Sequence, residues 1–376
     1  MSTFYKLNAL TSLRFVAAII VVVAHTAPVF GFMVFQQISI LTQTMSFFFV
    51  LSGFILTYNY PTLKNWEAVG RFWLLRSARI WPVHIFTIFL ILFILPAPQW
   101  TFTTEHKLWV TLTNLSLLQA WIPLQEFVLS YNTPAWSLSV DIFFYVLFPI
   151  LLFRLNKTWW VLLAGSFLIV MAMIYLSNTL HLNPAERETL IYTHPLSRLF
   201  EFILGMVTAL AWGKINHISL NKVIATTLEF VAFGCILISM YCCATPFNWM
   251  GEAGASYLLH SGSAVVFSLF ILIMAFDRGY LSRLLSFPLL VTLGEISFAI
   301  YLVHYTFLRY YIWKMDLFST LSPWVTYIGF WAILLLTSAL IWHFVDKPSR
   351  RFLIKLWPKK TSQPTAPASI IVGQTA

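Results

Sequence analysis

The sequence predicts an all-α, polytopic membrane protein of about ten transmembrane helices with no separate soluble domain. Three observations carry that reading. Hydrophobic residues make up 59% of the 376 residues and charged ones only 10%, with a mean hydropathy of +0.80, a balance outside the range of soluble globular domains. Apolar runs long enough to cross ~30 Å of hydrocarbon recur along nearly the whole chain. Threading those runs in alternate directions leaves only Lys107, Arg187, Arg198, Arg309 and Lys314, of 23 Lys and Arg residues, on one side. This is the asymmetry of the positive-inside rule, and it puts both termini in the cytoplasm. The net charge of +10 is thereby a topology signal. Nucleic-acid binding has no support, since no basic run sits beside an RNA or DNA motif.

The first run, residues 7 to 28, holds Arg14 and His25, the only strongly polar side chains between Leu10 and Phe30. Their spacing closes three helical turns to within ~20°, so one face carries a cation and, ~16 Å further on, an imidazole. Ionisable groups at membrane depth cost roughly 2.5 to 3.5 kcal/mol each and line bundle interiors or wet pathways. Arg14 interrupts the run and no small-residue cleavage site follows, so the segment reads as an uncleaved span. The second run, 38 to 59, contains Ser52 and Gly53, small residues that allow close helix approach. Arg71, Arg76 and Arg79 precede the third run, 80 to 97. Arg76 and Arg79 are i, i+3 neighbours: either two guanidinium forks converging on one polyanion or headgroup anchors.

After an apolar stretch from Leu108 to Trp121, read as an interfacial or re-entrant helix, the fourth run spans 135 to 153 and opens NTPAWSLSVDIFFY. Asp141 lies little more than one turn inside it, near Ser137 and Ser139 and at the depth of His25, because the first and fourth spans run in opposite directions. A carboxylate there either orients His25 as a general base or forms a structural bond between helices. The fifth run covers 159 to 177. The segment Asn178 to Pro195 brings His181, Glu186, Arg187, Glu188 and His194 to a polar mouth on the outer side.

In the sixth run, 197 to 212, Glu201 follows Arg198 by three and pairs with it. The seventh, 222 to 243, contains Cys235, Cys242 and Cys243, whose spacing makes neither a disulfide framework nor a zinc site. The eighth covers 256 to 276. In the ninth, 286 to 308, Glu295 lies towards the inside and Tyr301 and His304 towards the outside, where a lone histidine reads as an interfacial anchor. The tenth covers 323 to 345. Residues 1–352 thus form one membrane domain and 353–376 a tail, basic at first and then Pro/Ser/Thr/Ala-rich and disordered. No phosphate loop, serine elbow or HExxH motif occurs, which leaves ATP hydrolysis, serine hydrolase chemistry and zinc proteolysis unsupported.

Taken in order, LTSLRFVAAIIVVVAH, FFFVLSGFIL, RFWLLRSARIWPVH, NTPAWSLSVDIFFYVLFP, RLFEFILGM, LGEISFAIYLVH and DKPSRRF resemble the integral-membrane acyltransferase 3 family. That family O-acylates, most often O-acetylates, bacterial surface glycans such as lipopolysaccharide O-antigen, capsule and exopolysaccharide, and some small molecules. The likeness runs from Leu10 to Phe352. It implies that Arg14 and His25 match the family's arginine and histidine on the first span, and that Arg76 and Arg79 match an Arg-x-x-Arg motif associated with the acyl-CoA donor. Where many members have Trp-Ser-Leu-Ser-Val-Glu this chain ends the motif on Asp141, and Asp346, Lys347 and Pro348 stand for a common Glu-Lys-Pro. With no periplasmic esterase-like domain expected after the tenth run, the resemblance implies a stand-alone member.

The resemblance and the residues together predict an O-acyltransferase of the bacterial inner membrane. It would move an acyl group, acetyl above all, from cytoplasmic acyl-CoA to a hydroxyl of a cell-surface glycan or lipid-linked saccharide. His25, oriented by Asp141, is the expected base, with a transient acyl-histidine as the alternative. Arg14, Arg76 and Arg79 would hold the donor, and Ser52, Ser137, Ser139, Glu201, Glu295, Tyr301 and His304 would support the site. Acyl-CoA enters as co-substrate, with no resident cofactor and no metal. The rival reading is a transporter or exporter of a polysaccharide or lipid-linked intermediate that uses the same buried charges as its path.

Overall fold

The computed structural model describes residues 6–32, 38–100, 105–180, 182–245 and 250–355; the predicted disordered tail and His181 lie outside them. Ten helices within those residues are long and apolar enough to cross a membrane, and no strand occurs among the described residues. In order they are Asn8–Thr26, Leu41–Asn59, Trp66–Ile94, Thr133–Leu152, Leu155–Thr179, Pro195–Ile215, Lys222–Ala244, Gly251–Met274, Pro288–Trp313 and Pro323–Lys355. The chain is therefore a polytopic, all-α membrane protein without a separate soluble domain. An even number of spans returns Lys355 to the face where Lys6 lies, the terminal face; the opposite one is the far face.

The third span departs most from expectation. It begins at Trp66, where the Asn65 side chain caps it by accepting from the Ala68 N–H at 2.9 Å. Arg71, Arg76 and Arg79 accordingly lie inside the helix, not before it. Hydropathy marks only the lipid-facing half, whereas arginines turned into the bundle escape that signal. Arg154, in the left-handed region at φ 57°, turns the fourth span straight into the fifth. The stretch after the third span forms a helix, Lys107–Ser116, that buries Val110 and Asn114.

Two glycine contacts set the interior geometry. Gly53 of the second span lies against the Phe202 carbonyl of the sixth, and Gly205 of the sixth against the Val50 carbonyl of the second, so a Cβ at either would overlap backbone oxygen. Close approach through small residues is how membrane helices gain packing where lipid offers no hydrophobic drive. Gly205→Val is expected to cost about 3 kcal/mol or more, because backbone cannot move aside as a side chain can. A purified variant with an unchanged melting temperature would refute this crossing. Gly294 plays the same part between the ninth span and Thr11 of the first.

On the far face, His194 precedes the sixth span, is 8% exposed, and accepts from the Leu196 N–H through Nδ1 at 3.3 Å. Burial holds its pKa down at about 4, below the ordinary 6.5, so folding favours the neutral ring. Its contribution is complete above pH 6.5 and is lost as pH falls towards 4, amounting to about 3 kcal/mol. His194→Asn, which still offers an acceptor, should flatten that part of the stability profile in thermal melts between pH 7 and 4.

Candidate active site

Arg14, Arg76 and Arg79 converge from the first and third spans on one cavity of about 110 Å³, shared with Ser52, Asp141 and Tyr145. Arg76 is 7% exposed, donates to the Tyr60 hydroxyl at 3.2 Å, and stacks its guanidinium over that ring at 5.4 Å. Among the described residues its Nε finds no hydrogen-bond partner. Three guanidiniums facing one carboxylate leave a cationic excess inside the bundle, an arrangement that a polyanion relieves.

Asp141 belongs to this cluster. It bonds to Ser52 and lies in the field of Arg79, Arg14 and Arg76, which corrects the expected pairing with His25. Ser137, Asp141 and Tyr145 share a helical face at i, i+4 spacing, and that face turns to the arginines. Arg350, which forks onto buried Asp346 through two bonds, adds its charge to Arg14 and Arg79 from the tenth span. Neither Arg350 nor Tyr145 was singled out from sequence. Tyr145 was within reach, one turn beyond Asp141 on the same face.

His25 instead meets His304 of the ninth span, Nδ1 to Nε2 at 3.0 Å, with the rings stacked at 5.2 Å and 7°. His304 is fully buried and its Nδ1 lies 2.6 Å from the Tyr301 carbonyl. A carbonyl only accepts, so Nδ1 of His304 carries the proton and, in the neutral ring, Nε2 accepts. His25 must then donate from Nδ1, which leaves the lone pair on its Nε2. His25 is exposed, so the two-histidine chain ends in a nitrogen lone pair on an exposed ring.

Tyr301 joins the two halves. Its ring lines the arginine cavity, its hydroxyl lies 2.9 Å from Ser137 Oγ and donates to the Pro134 carbonyl at 2.9 Å, and its own carbonyl orients His304. The remaining candidates lie elsewhere. Ser139 accepts from the Ala120 N–H at 3.4 Å; Glu201 pairs with Arg198 at 2.9 Å, both fully buried; Glu295 pairs with Lys6 at 3.4 Å on the terminal face. A wider cavity of about 840 Å³ on that face, beside Lys6, Lys214 and Arg278, takes none of the predicted catalytic or donor residues.

Ten spans enclose a cationic cavity beside an oriented imidazole, the architecture of a membrane-embedded enzyme. The family model for the acyltransferase domain, acyltransferase 3, matches residues 7–343, and the chain belongs to that family; it is an enzyme that transfers acyl groups. It is 28% identical to the acyltransferase MdmB of Streptomyces mycarofaciens over 95% of both chains. It is 25% identical, over 85% of its length, to a Bacillus subtilis (strain 168) protein provisionally named peptidoglycan O-acetyltransferase YrhL, of which the match covers 54%. A Staphylococcus aureus (strain COL) protein provisionally named an O-acetyltransferase is 22% identical over 82% of this chain and 52% of its own. The chain thus spans nearly all of the first relative and about half of the other two. No solved structure matches it.

Proposed function

We propose that this enzyme O-acylates a cell-envelope saccharide, taking the acyl group, acetyl above all, from cytoplasmic acyl-CoA. The observation that carries the reading is the single polar column formed by the arginine cavity, Tyr301 and the His304–His25 pair. Coenzyme A carries a pyrophosphate and a ribose phosphate, which suit Arg14, Arg76 and Arg79, while its uncharged pantetheine arm can follow the column towards His25. The acceptor hydroxyl approaches from the far face and gives its proton to His25 Nε2 as its oxygen attacks the thioester carbon. The C–S bond breaks, and the leaving thiolate takes that proton from His25. Names carried by two of the relatives, an O-acetyltransferase and a peptidoglycan O-acetyltransferase, support an oxygen acceptor and a saccharide.

In this reading the terminal face is cytoplasmic, in the inner membrane. Reporter fusions after Lys64, Lys157, Lys214 and Arg283 should then report cytoplasm and those near His181 and Glu252 the outside; a consistent reversal would part the arginines from the CoA pool. The direct test is mass analysis of envelope glycans from a deletion strain. A discrete acyl mass should vanish, return with the wild-type gene, and stay absent with His25→Gln. Glycan of unchanged mass but reduced amount would mean export instead.

A further inference from the structure

A second imidazole relay lies on the far face, away from the arginine cavity. The His260 ring of the eighth span, 4% exposed, pairs through Nε2 with Glu188 Oε1 at 2.8 Å and through Nδ1 with Thr42 Oγ1 at 2.9 Å. Glu188 also accepts from Ser256 at 3.2 Å, and the Tyr192 ring packs on His260 at 4.2 Å. Thr42 is held in register by its neighbour Gln43, fully buried, which donates to the Met240 carbonyl and accepts from the Ser263 N–H, both at 3.2 Å.

The order of atoms decides what the relay does. A carboxylate only accepts, so in the neutral ring the His260 proton sits on Nε2 facing Glu188, and Nδ1 is the acceptor for the Thr42 hydroxyl. Carboxylate, imidazole and hydroxyl in that sequence are the parts that turn an alcohol into a nucleophile. Burial works against ionisation of Glu188, but the bond from His260, the charge His260 carries when protonated, the bond from Ser256 and the Arg198 charge outweigh it and hold its pKa below the ordinary value. The carboxylate is 42% exposed and Thr42 partly so, which leaves the relay open to a small substrate.

We infer that Thr42, His260 and Glu188 form a second acyl-handling centre, in which Thr42 Oγ1 is acylated by activated esters of short acids and then discharged to water or an alcohol. It does not depend on the His25 reading. In the first half, Oγ1 bonds the acyl carbon, the ester C–O bond breaks, and the Thr42 proton passes through His260 Nδ1 to the departing oxygen. In the second, water or an alcohol bonds the acyl carbon, the bond to Oγ1 breaks, and the incoming proton returns through His260 to Thr42. Glu188 positions the ring and faces the transient imidazolium.

The test is p-nitrophenyl acetate on the purified full-length protein, read as nitrophenolate release and as acetyl groups on the peptide that carries residue 42. Acetylation of residue 42 is expected in the wild type and in Thr42→Ser, slowed about 100-fold in His260→Gln and about tenfold in Glu188→Gln. In Thr42→Val the fast release should vanish from a protein of unchanged melting temperature. An unmodified residue 42 peptide in the monodisperse wild type, or equal rates in wild type and His260→Gln, overturns the inference. Either result leaves the glycan mass test of the proposed function untouched.

Discussion

Replacing His25 with glutamine is expected to lower acyl transfer by about 10²- to 10⁴-fold, the span that a positioned base contributes, while the protein still inserts and still binds donor. His304→Gln should come close behind. It removes the ring that takes the proton of His25 Nδ1 and with it the constraint that leaves the lone pair on Nε2. The double variant should be little worse than His25→Gln alone, since residues acting as a unit are far from additive. Asp141→Asn is the informative control. The carboxylate lies with Ser52 and the arginines, so the pH profile of transfer should keep its shape. Near-normal acylation of glycan by a stable His25→Gln enzyme would remove the imidazole from the chemistry.

Depth was legible in the sequence and direction was not. Counting 1.5 Å per residue puts Arg14 near the start of its span and His25 near the end, and the ten runs all appear as helices. Depth alone, however, paired His25 with Asp141. Which neighbour a helical face meets depends on how spans pack, and that is set by contacts such as Gly294 on Thr11 and Gly53 on Phe202, between residues far apart in the chain. The first contact draws the ninth span against the first, so His25 finds His304, which on its own looked like an interfacial anchor. Asp141 turns instead towards the guanidiniums, the partners that best offset a buried carboxylate. The same limit hid Arg350, which reaches the cavity's charges from the tenth span. Arg198 and Glu201 were legible because their partnership is local, one turn of a single helix.

The arginine cavity yields the other large effect. Arg76→Ala or Arg79→Ala is expected to weaken coenzyme A binding about 10- to 100-fold, because each removes charge-assisted bonds to phosphate worth about 1.5 to 3 kcal/mol. Lysine at either position should restore only part of it, keeping the charge but losing the planar fork. Asp141→Asn should act in the opposite sense. It takes the carboxylate from among three guanidiniums, leaving buried cations uncompensated, a change that costs the free protein roughly 3 to 5 kcal/mol. In the proposed donor site coenzyme A phosphates would then supply the missing negative charge, so the rise in melting temperature on adding coenzyme A should be larger in Asp141→Asn than in the wild type. In the arginine variants that rise should shrink. Equal rises in all four proteins, with unchanged affinity in both alanine variants, would make these arginines bundle anchors and place the donor elsewhere.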